Sequence, residues 1–411
     1  MKCRAEPDGD RYRLFGQKIY ITWGDHDAAE NTLHLVLARL PDAPPGTKGI
    51  SLFAVPKFLP AADGTPGEHN DVYPVSVEHK LGIHGSPTCV MSYGDNDGAI
   101  GWLVGEPHNG VACMFTMMNH ARLAVGVQGL SISMRAYQKA LAYARERVQG
   151  RAPDGTPGAT LIRHPDVRRM LMTMKSAIEA MRYLTYFAAA SGDLANHAED
   201  EQERTAQAQL FELLTPVVKG WCTELAQELT SLGVQVHGGM GYVEETGVAQ
   251  YYRDARITTI YEGTTAIQAN DLVGRKFLRD GGVAMAGLRE RIGATVAALD
   301  GAGGPGFAVI AAALERGSAD LGRAGARLLE DAAEDVFAPG SAAVNFLMLT
   351  GTVTGGWLMA RAALAAQDGG AGARAATARF FAEHLLPRCG GYADAVVAGS
   401  ASIMALADDE L

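Results

Sequence analysis

Near Gly110 the spacing of apolar residues changes, and that change limits the possible architecture more than any other feature. Before it, short alternating segments at residues 11–15, 18–22, 32–38, 50–55, 72–79 and 88–93 are bounded by Gly, Pro or Asp. Alternation with turn residues at each end predicts half-buried strands, hence an antiparallel sheet or partly closed barrel. Residues 41–49 and 56–71, rich in Pro, Gly and Asp, read as solvent-exposed connections. After Gly110 the period becomes about 3.6. Val167, Met170, Leu171, Met174, Ile178, Met181, Leu184 and Phe187 fall three and four apart, which makes one face of a helix over 165–190. Its methionines read as core filler between helices. Similar stripes predict helices over 115–149 and 203–232. Thr215-Pro216 inside the last reads as an N-cap followed by proline at the first helical position, so two helices meeting at a bend are expected there.

A chain of 411 residues is too long for one compact core. The expected division is a β-sheet domain (1–109), a helical-bundle domain (110–280) and an additional C-terminal helical domain (281–411), an α+β chain overall. Beyond Lys276 there is no lysine, and helical stripes at 314–337, 342–365 and 373–386 follow glycine-rich joints at 281–282 and 301–306. The uncharged run 336–360 is interrupted by Pro339-Gly340-Ser341 and Asn345. Its remainder falls short of the ~20 apolar residues that a span requires, so a buried helix rather than a membrane span is expected. The formal charge of −10 argues against broad attraction to nucleic acid or an anionic membrane. The five cysteines lie far apart, with no CxxC pair and no histidine at ligand spacing, so no metal site and no disulfide framework is indicated. No basic-then-apolar leader opens the chain; a reduced, cytoplasmic setting is expected.

The chemistry concentrates in residues 233–277. There a glycine-rich bend (Gly238, Gly239, Gly241) leads to Arg253-Asp254-Ala255-Arg256, and then to Glu262 between Tyr261 and Gly263 in an otherwise neutral run, 257–267. A carboxylate in apolar and hydroxyl company loses solvation when a ligand covers it; its pKa then rises toward the working pH and it becomes a usable general base. The other reading is a surface glutamate beside a helix start. Charge placement leaves both open.

Arg253-Asp254-Ala255-Arg256, followed by Ile260-Tyr261-Glu262-Gly263-Thr264-Thr265 and Ile267-Gln268, resembles the signature of the acyl-CoA dehydrogenases, which desaturate acyl-CoA thioesters to trans-2-enoyl-CoA. The resemblance covers residues 8 to about 278, and the tail points to the long, methylmercaptopropionyl-CoA dehydrogenase-like subgroup. It implies that Glu262 removes the α-proton and that the β-hydride passes to flavin N5. Desaturation requires a hydride acceptor that no side chain supplies. A GxGxxG after a predicted strand is missing, which speaks against a nicotinamide site, so a flavin is the consistent choice, and the resemblance implies that it is FAD.

By the same resemblance Tyr20 and Thr22, in residues 18–22, lie at the isoalloxazine ring, and Arg147 meets the FAD pyrophosphate. Gln235, Gly238 and Gly239 receive the adenosine-pyrophosphate part of a neighbouring subunit's FAD, and Thr264 and Gln268 complete the pocket. Asn119 and Arg122 border the acyl-CoA, as does Gly263 beside the base; Arg122 has the alternative of pairing with a neighbouring helix. His84 stands where the family often has arginine. The resemblance further implies a homodimer or higher oligomer and an electron-transferring flavoprotein as acceptor.

Family members begin with a helical domain and a flavin-contacting loop, and this chain starts after both. A partner chain supplying the N-terminal domain, or a fragment of a longer enzyme, would account for that. The rival reading is a non-catalytic or partner-dependent subunit, a truncated remnant of such an enzyme. A nucleic-acid-binding relative is a second rival, which the acidic tail opposes.

Overall fold

The structure is a computed structural model and describes residues 2–366 and 372–411. Its contacts divide the chain into two compact units, Met1–His120 and Ala121–Leu411.

The first unit holds β1 (Arg4–Asp8), β2 (Arg11–Thr22), β3 (Leu33–Arg39), β4 (Ile50–Pro56), β5 (Phe58–Pro60), β6 (Pro66–His69), β7 (Val72–Val77), β8 (Thr88–Tyr93) and β9 (Ala99–Val104). The main sheet runs β1-β3-β4-β9-β2-β8-β7, and a further β1–β2 pairing closes its first part into a ring. The expected barrel is present. All of its pairings are antiparallel except a single parallel contact, Arg4 to Arg39. Its core is Leu14, Val36, Phe53, Val55, Met91 and Tyr93, the inward residues of alternating strands.

Several boundaries differ from the expectation. Gly16 does not break β2: at φ 126 it stays in register opposite Tyr93, and Cys3 packs where a side chain would be. Strands β1 and β9 carry too few contrasting residues to show alternation, and barrel pairing forms them. The connection 56–71 contains the small hairpin β5–β6.

The second unit is helical. Helix α1 (Gly110–Glu146) begins in the first unit and continues into the second, where α2 (Pro165–His197), α3 (Glu201–His237), α4 (Val248–Ala255) and α5 (Thr265–Asn270) follow. Asp200 caps α3 by accepting from the Gln202 amide. The expected bend at Thr215-Pro216 does not form; Pro216 lies inside one continuous α3. Interior proline costs about 3 kcal/mol by removing one ladder bond. Here Leu213 through Cys222 are all buried, and Thr215 Oγ1 donates to the Phe211 carbonyl at 2.7 Å, so packing offsets the loss.

Beyond α5 the backbone loosens into a π-helical segment, Asp271–Leu278, before α6 (Val283–Ala302), α7 (Pro305–Glu334), α8 (Ala338–Ala365), α9 (Gly372–His384) and α10 (Arg388–Val397). The later helices share one core with α2 and α3. Trp221 of α3 sits where a Cβ at Gly351 of α8 would lie 2.3 Å from its ring, and its Nε1 donates to Thr352 Oγ1 at 3.2 Å. Helix α8 is longer than expected, because Pro339 falls in its first turn, where a missing amide leaves no ladder bond unmade. It is long and apolar enough to cross a membrane, yet 83% of its most apolar window is buried inside the unit.

Candidate active site

Glu262 lies on the turn between the 3-10 turn Arg256–Thr259 and α5, at the end of the motif that singled it out. Its backbone is left-handed, φ 54, and Gly263 follows at φ 90. A bulky non-glycine residue rarely adopts this conformation unless its surroundings hold it there. Two contacts do so. Gln268, fully buried, donates from Nε2 to the carbonyls of Glu262 and Gly263 at 3.3 and 3.2 Å. Thr264 caps α5, its Oγ1 accepting from the Ile267 amide at 3.4 Å. A Cβ on Gly263 would lie 2.6 Å from Gln268 Nε2, so only glycine leaves room for that amide. The carboxylate itself is exposed, with exposed Ile260 and Ile267 beside it in sequence.

Side-chain hydrogen bonds tie the residues around the turn to α1 and α3. Tyr261 donates its hydroxyl to Gln128 Oε1 of α1. Burial, with the charge of Glu262 adding to it, pushes the Tyr261 phenol above its ordinary range, so it stays a neutral donor. Thr265 Oγ1 donates to Glu224 Oε1 of α3 at 2.5 Å, which ties α5 to α3. Lys219, also on α3, is fully buried, and its Nζ meets no hydrogen-bond partner among the described residues. Burial pushes its pKa down to about 8, with Arg122 lowering it further and Glu224 and Glu262 opposing.

Arg122, expected at the acyl-CoA, takes the alternative course. Its Nη1 donates to Asp271 Oδ2 at 2.6 Å, with the two residues 5% and 7% exposed. The pair fastens α1 to the π-helical segment that follows α5. Asn119 is half-buried on the part of α1 that belongs to the first unit. In the motif patch Arg253 grips Glu244 with both nitrogens, at 2.7 and 3.1 Å, and Arg256 donates to Thr259 Oγ1.

Of the predicted cofactor residues, Gln268 is buried and is occupied in holding the Glu262 turn, while the others lie on the surface. Arg147 directly follows α1 and is exposed, as are Gln235, Gly238 and Gly239 at the end of α3. Gly238 turns the chain at φ 59, and a Cβ at Gly238 or Gly239 would meet nothing within 4 Å, so the bend is an open shelf. Gly241 is the tight position: a Cβ there would lie 2.2 Å from the Val234 carbonyl.

In the first unit Tyr20 sits where the β2–β8 register shifts between Lys18 and Ile21, at φ 59 and 69% exposed. Thr22 is exposed two residues on. Trp23, which motif reading passed over, is also left-handed and exposed. Five non-glycine residues among those described have positive φ, and Tyr20, Trp23 and Glu262 are three of them. Gln128, Lys219 and Glu224 were likewise missed. A charge inside the apolar run 213–222 could have flagged Lys219, whereas exposed Gln128 and half-buried Glu224 carry no such local signal.

A barrel-based unit and a large helical unit in this order make a known fold. It is shared with Caenorhabditis elegans ACDH-11 in complex with C11-CoA (TM-score 0.74, 24% identity, 94% of this chain and 62% of that one). It is shared equally with an acyl-CoA dehydrogenase from Bacillus anthracis complexed with FAD (TM-score 0.75, 21% identity, 96% and 66%). In sequence, residues 108–277 match the acyl-CoA dehydrogenase C-terminal domain and residues 288–407 the acetyl-CoA dehydrogenase C-terminal-like domain. The 3-methylmercaptopropionyl-CoA dehydrogenase of Ruegeria pomeroyi is 49% identical over 95% of this chain and 67% of its own length. The chain belongs to the acyl-CoA dehydrogenase family, and it spans about two thirds of the length of these relatives.

Proposed function

We propose that this chain carries the base and much of the cofactor surface of an FAD-dependent acyl-CoA dehydrogenase, which converts an acyl-CoA to a trans-2-enoyl-CoA. The observation that carries the reading is the Glu262 turn: an acid kept in a left-handed conformation, exposed, its backbone held by a buried glutamine. Such strain persists where the surroundings over-determine it, and it clusters at reactive sites.

The chain's residues fit a flavin dinucleotide. The open bend at Gly238 and Gly239 admits a pyrophosphate close to the backbone, exposed Arg147 suits its charge, and the bulge at Tyr20 offers aromatic and hydroxyl surface with Thr22. Bound FAD supplies the two-electron acceptor that takes up the β-hydride. Glu262 takes the α-proton at a carboxylate oxygen; a thioester laid over the turn excludes water and raises the basicity of that oxygen. Gln268 and Thr264 keep the turn in place, and Gly263 lets the Gln268 amide approach. Residues 110–280 are thus read as the flavin- and substrate-binding part, and 281–411 as the added helical part. Electrons leave to an electron-transferring flavoprotein, and an oligomer completes each FAD site.

The test is the visible spectrum of the purified chain with FAD, without oxygen, on adding straight-chain and thioether acyl-CoAs; the second group follows from the substrate in the relative's name. Bleaching of the flavin bands is expected, and Glu262→Gln should keep the bands but lose the bleaching. Unchanged bleaching in that variant would remove Glu262 as the base. A chain that holds FAD but never bleaches would favour the partner-dependent subunit.

A further inference from the structure

Helix α8 is buried along most of its length, but its start is not. Phe337, Gly340, Ser341 and Val344 fall three and four apart and make one helix face, on which Phe337 is 54% exposed. A Cβ on Gly340 would meet nothing within 4 Å, so the face is open above its glycine. Across from it stands the turn 400–404, closed by the Met404 amide donating to the Ser400 carbonyl at 3.0 Å. Ser400 Oγ donates to Asp335 Oδ2, which fastens that turn to the start of α8. Between these walls lies a groove of about 340 Å³, lined by Val336, Phe337, Gly340, Ser341, Ile403 and Met404. Its four large apolar side chains are each more than half exposed. Single exposed apolar residues are ordinary, whereas several lining one groove mark an interaction surface.

The charge around the groove is of one sign. From Leu328 to Ala360 and from Cys389 to Leu411, the stretches that build it, the chain has eight acids and no Lys, Arg or His. Asp331 pairs with Arg327 and Asp394 with Arg323. Glu330, Glu334, Asp335, Asp408, Asp409 and Glu410 have no ion pair among the described residues. The bond from Ser400, and one from the Phe337 amide at 2.9 Å, hold the Asp335 carboxyl below the usual carboxylate range. The groove thus keeps a negative charge where its walls join.

That sign disfavours several occupants. An anionic bilayer or a nucleic acid would be repelled. A second copy docked by two-fold symmetry would bring the same acids face to face, because such an interface pairs a patch with itself. An apolar stripe bordered by cations complements the groove, and an amphipathic helix presents one when its anchors fall at i, i+3, i+4 and i+7. We propose that this groove docks a basic amphipathic helix of a partner protein. The helix's apolar side chains enter between Phe337 and the Ile403-Met404 turn, and its Lys and Arg side chains meet the acids that flank those residues in the chain.

The experiment is fluorescence anisotropy of a labelled peptide of about 18 residues, five helical turns, titrated with the full chain. The peptide carries Leu at spacings of three and four on one face, and Lys or Arg on the other. Binding in the micromolar range is expected, and it should weaken as salt rises. Phe337→Ser and Ile403→Ser, both at exposed positions, should melt as wild type does and lose about tenfold in affinity. Glu334→Lys should lose as much by reversing a charge at the end of α7, where a cation suits the helix. Two control peptides, one of the same composition with scattered Leu and one with Glu for Lys and Arg, should bind about tenfold more weakly. A peptide that stays unbound at about 0.1 mM overturns the proposal, as does equal affinity for either control. So does wild-type affinity in the folded Phe337→Ser and Ile403→Ser chains. Two other results name a different occupant and overturn it too: binding to phosphatidylserine vesicles that these variants abolish, or a dimer in sedimentation that they dissociate.

Discussion

Removing Asp271 tests the buried pair that fastens α1 to the segment after α5. Arg122 and Asp271 meet at 2.6 Å and are 5% and 7% exposed, so Asp271→Ala leaves a guanidinium inside the helical unit without its counter-charge. Arg122 Nε already lacks a partner among the described residues, so the group has little to fall back on. Arg275, which also approaches Asp271 at 3.5 Å, is 62% exposed and adds little that is screened from water. Breaking a buried pair by removing one member costs about 3–5 kcal/mol. At about 2 °C per kcal/mol for a unit of this size, that is a drop of roughly 6–10 °C in Tm. Calorimetry of the single variant and of Arg122→Met/Asp271→Leu measures it. The double variant should recover most of the loss, since an apolar pair of similar volume removes both charges. A loss under about 1 kcal/mol, the value of an exposed pair, would refute the reasoning, as would a double variant no better than the single.

Two contrasts probe the cofactor surface. Gly241→Ala should destabilise the end of α3 by several degrees or prevent folding, because its Cβ would lie 2.2 Å from the Val234 carbonyl, whereas Gly239→Ala meets nothing and should leave Tm within a degree or so. Thermal melts of the two side by side decide it, and equal losses would contradict the assigned packing. Tyr20→Ala and Trp23→Ala remove exposed side chains at the β2 bulge, so FAD affinity measured by fluorescence titration should fall about tenfold while stability barely moves; unchanged affinity would take the bulge out of the flavin site.

Periodicity and punctuation determined much of this protein by themselves. Alternation followed by a 3.6 period separated the barrel from the helices, because side-chain direction in a strand or helix is a local property of the backbone. The motif from Arg253 to Gln268 marked the turn, the acid and the capping threonine, since each depends on neighbours a few residues away. The tertiary structure decided what depends on distant partners. Pro216 stays helical because its surroundings are buried, β1 and β9 exist through barrel pairing, and α8 is a core helix because Trp221 fills the space at its glycines. Arg122 faces Asp271, 149 positions away, and Lys219 lies fully buried on α3. Burial and charge neighbours are sums over the whole packed unit, and no window of sequence contains them.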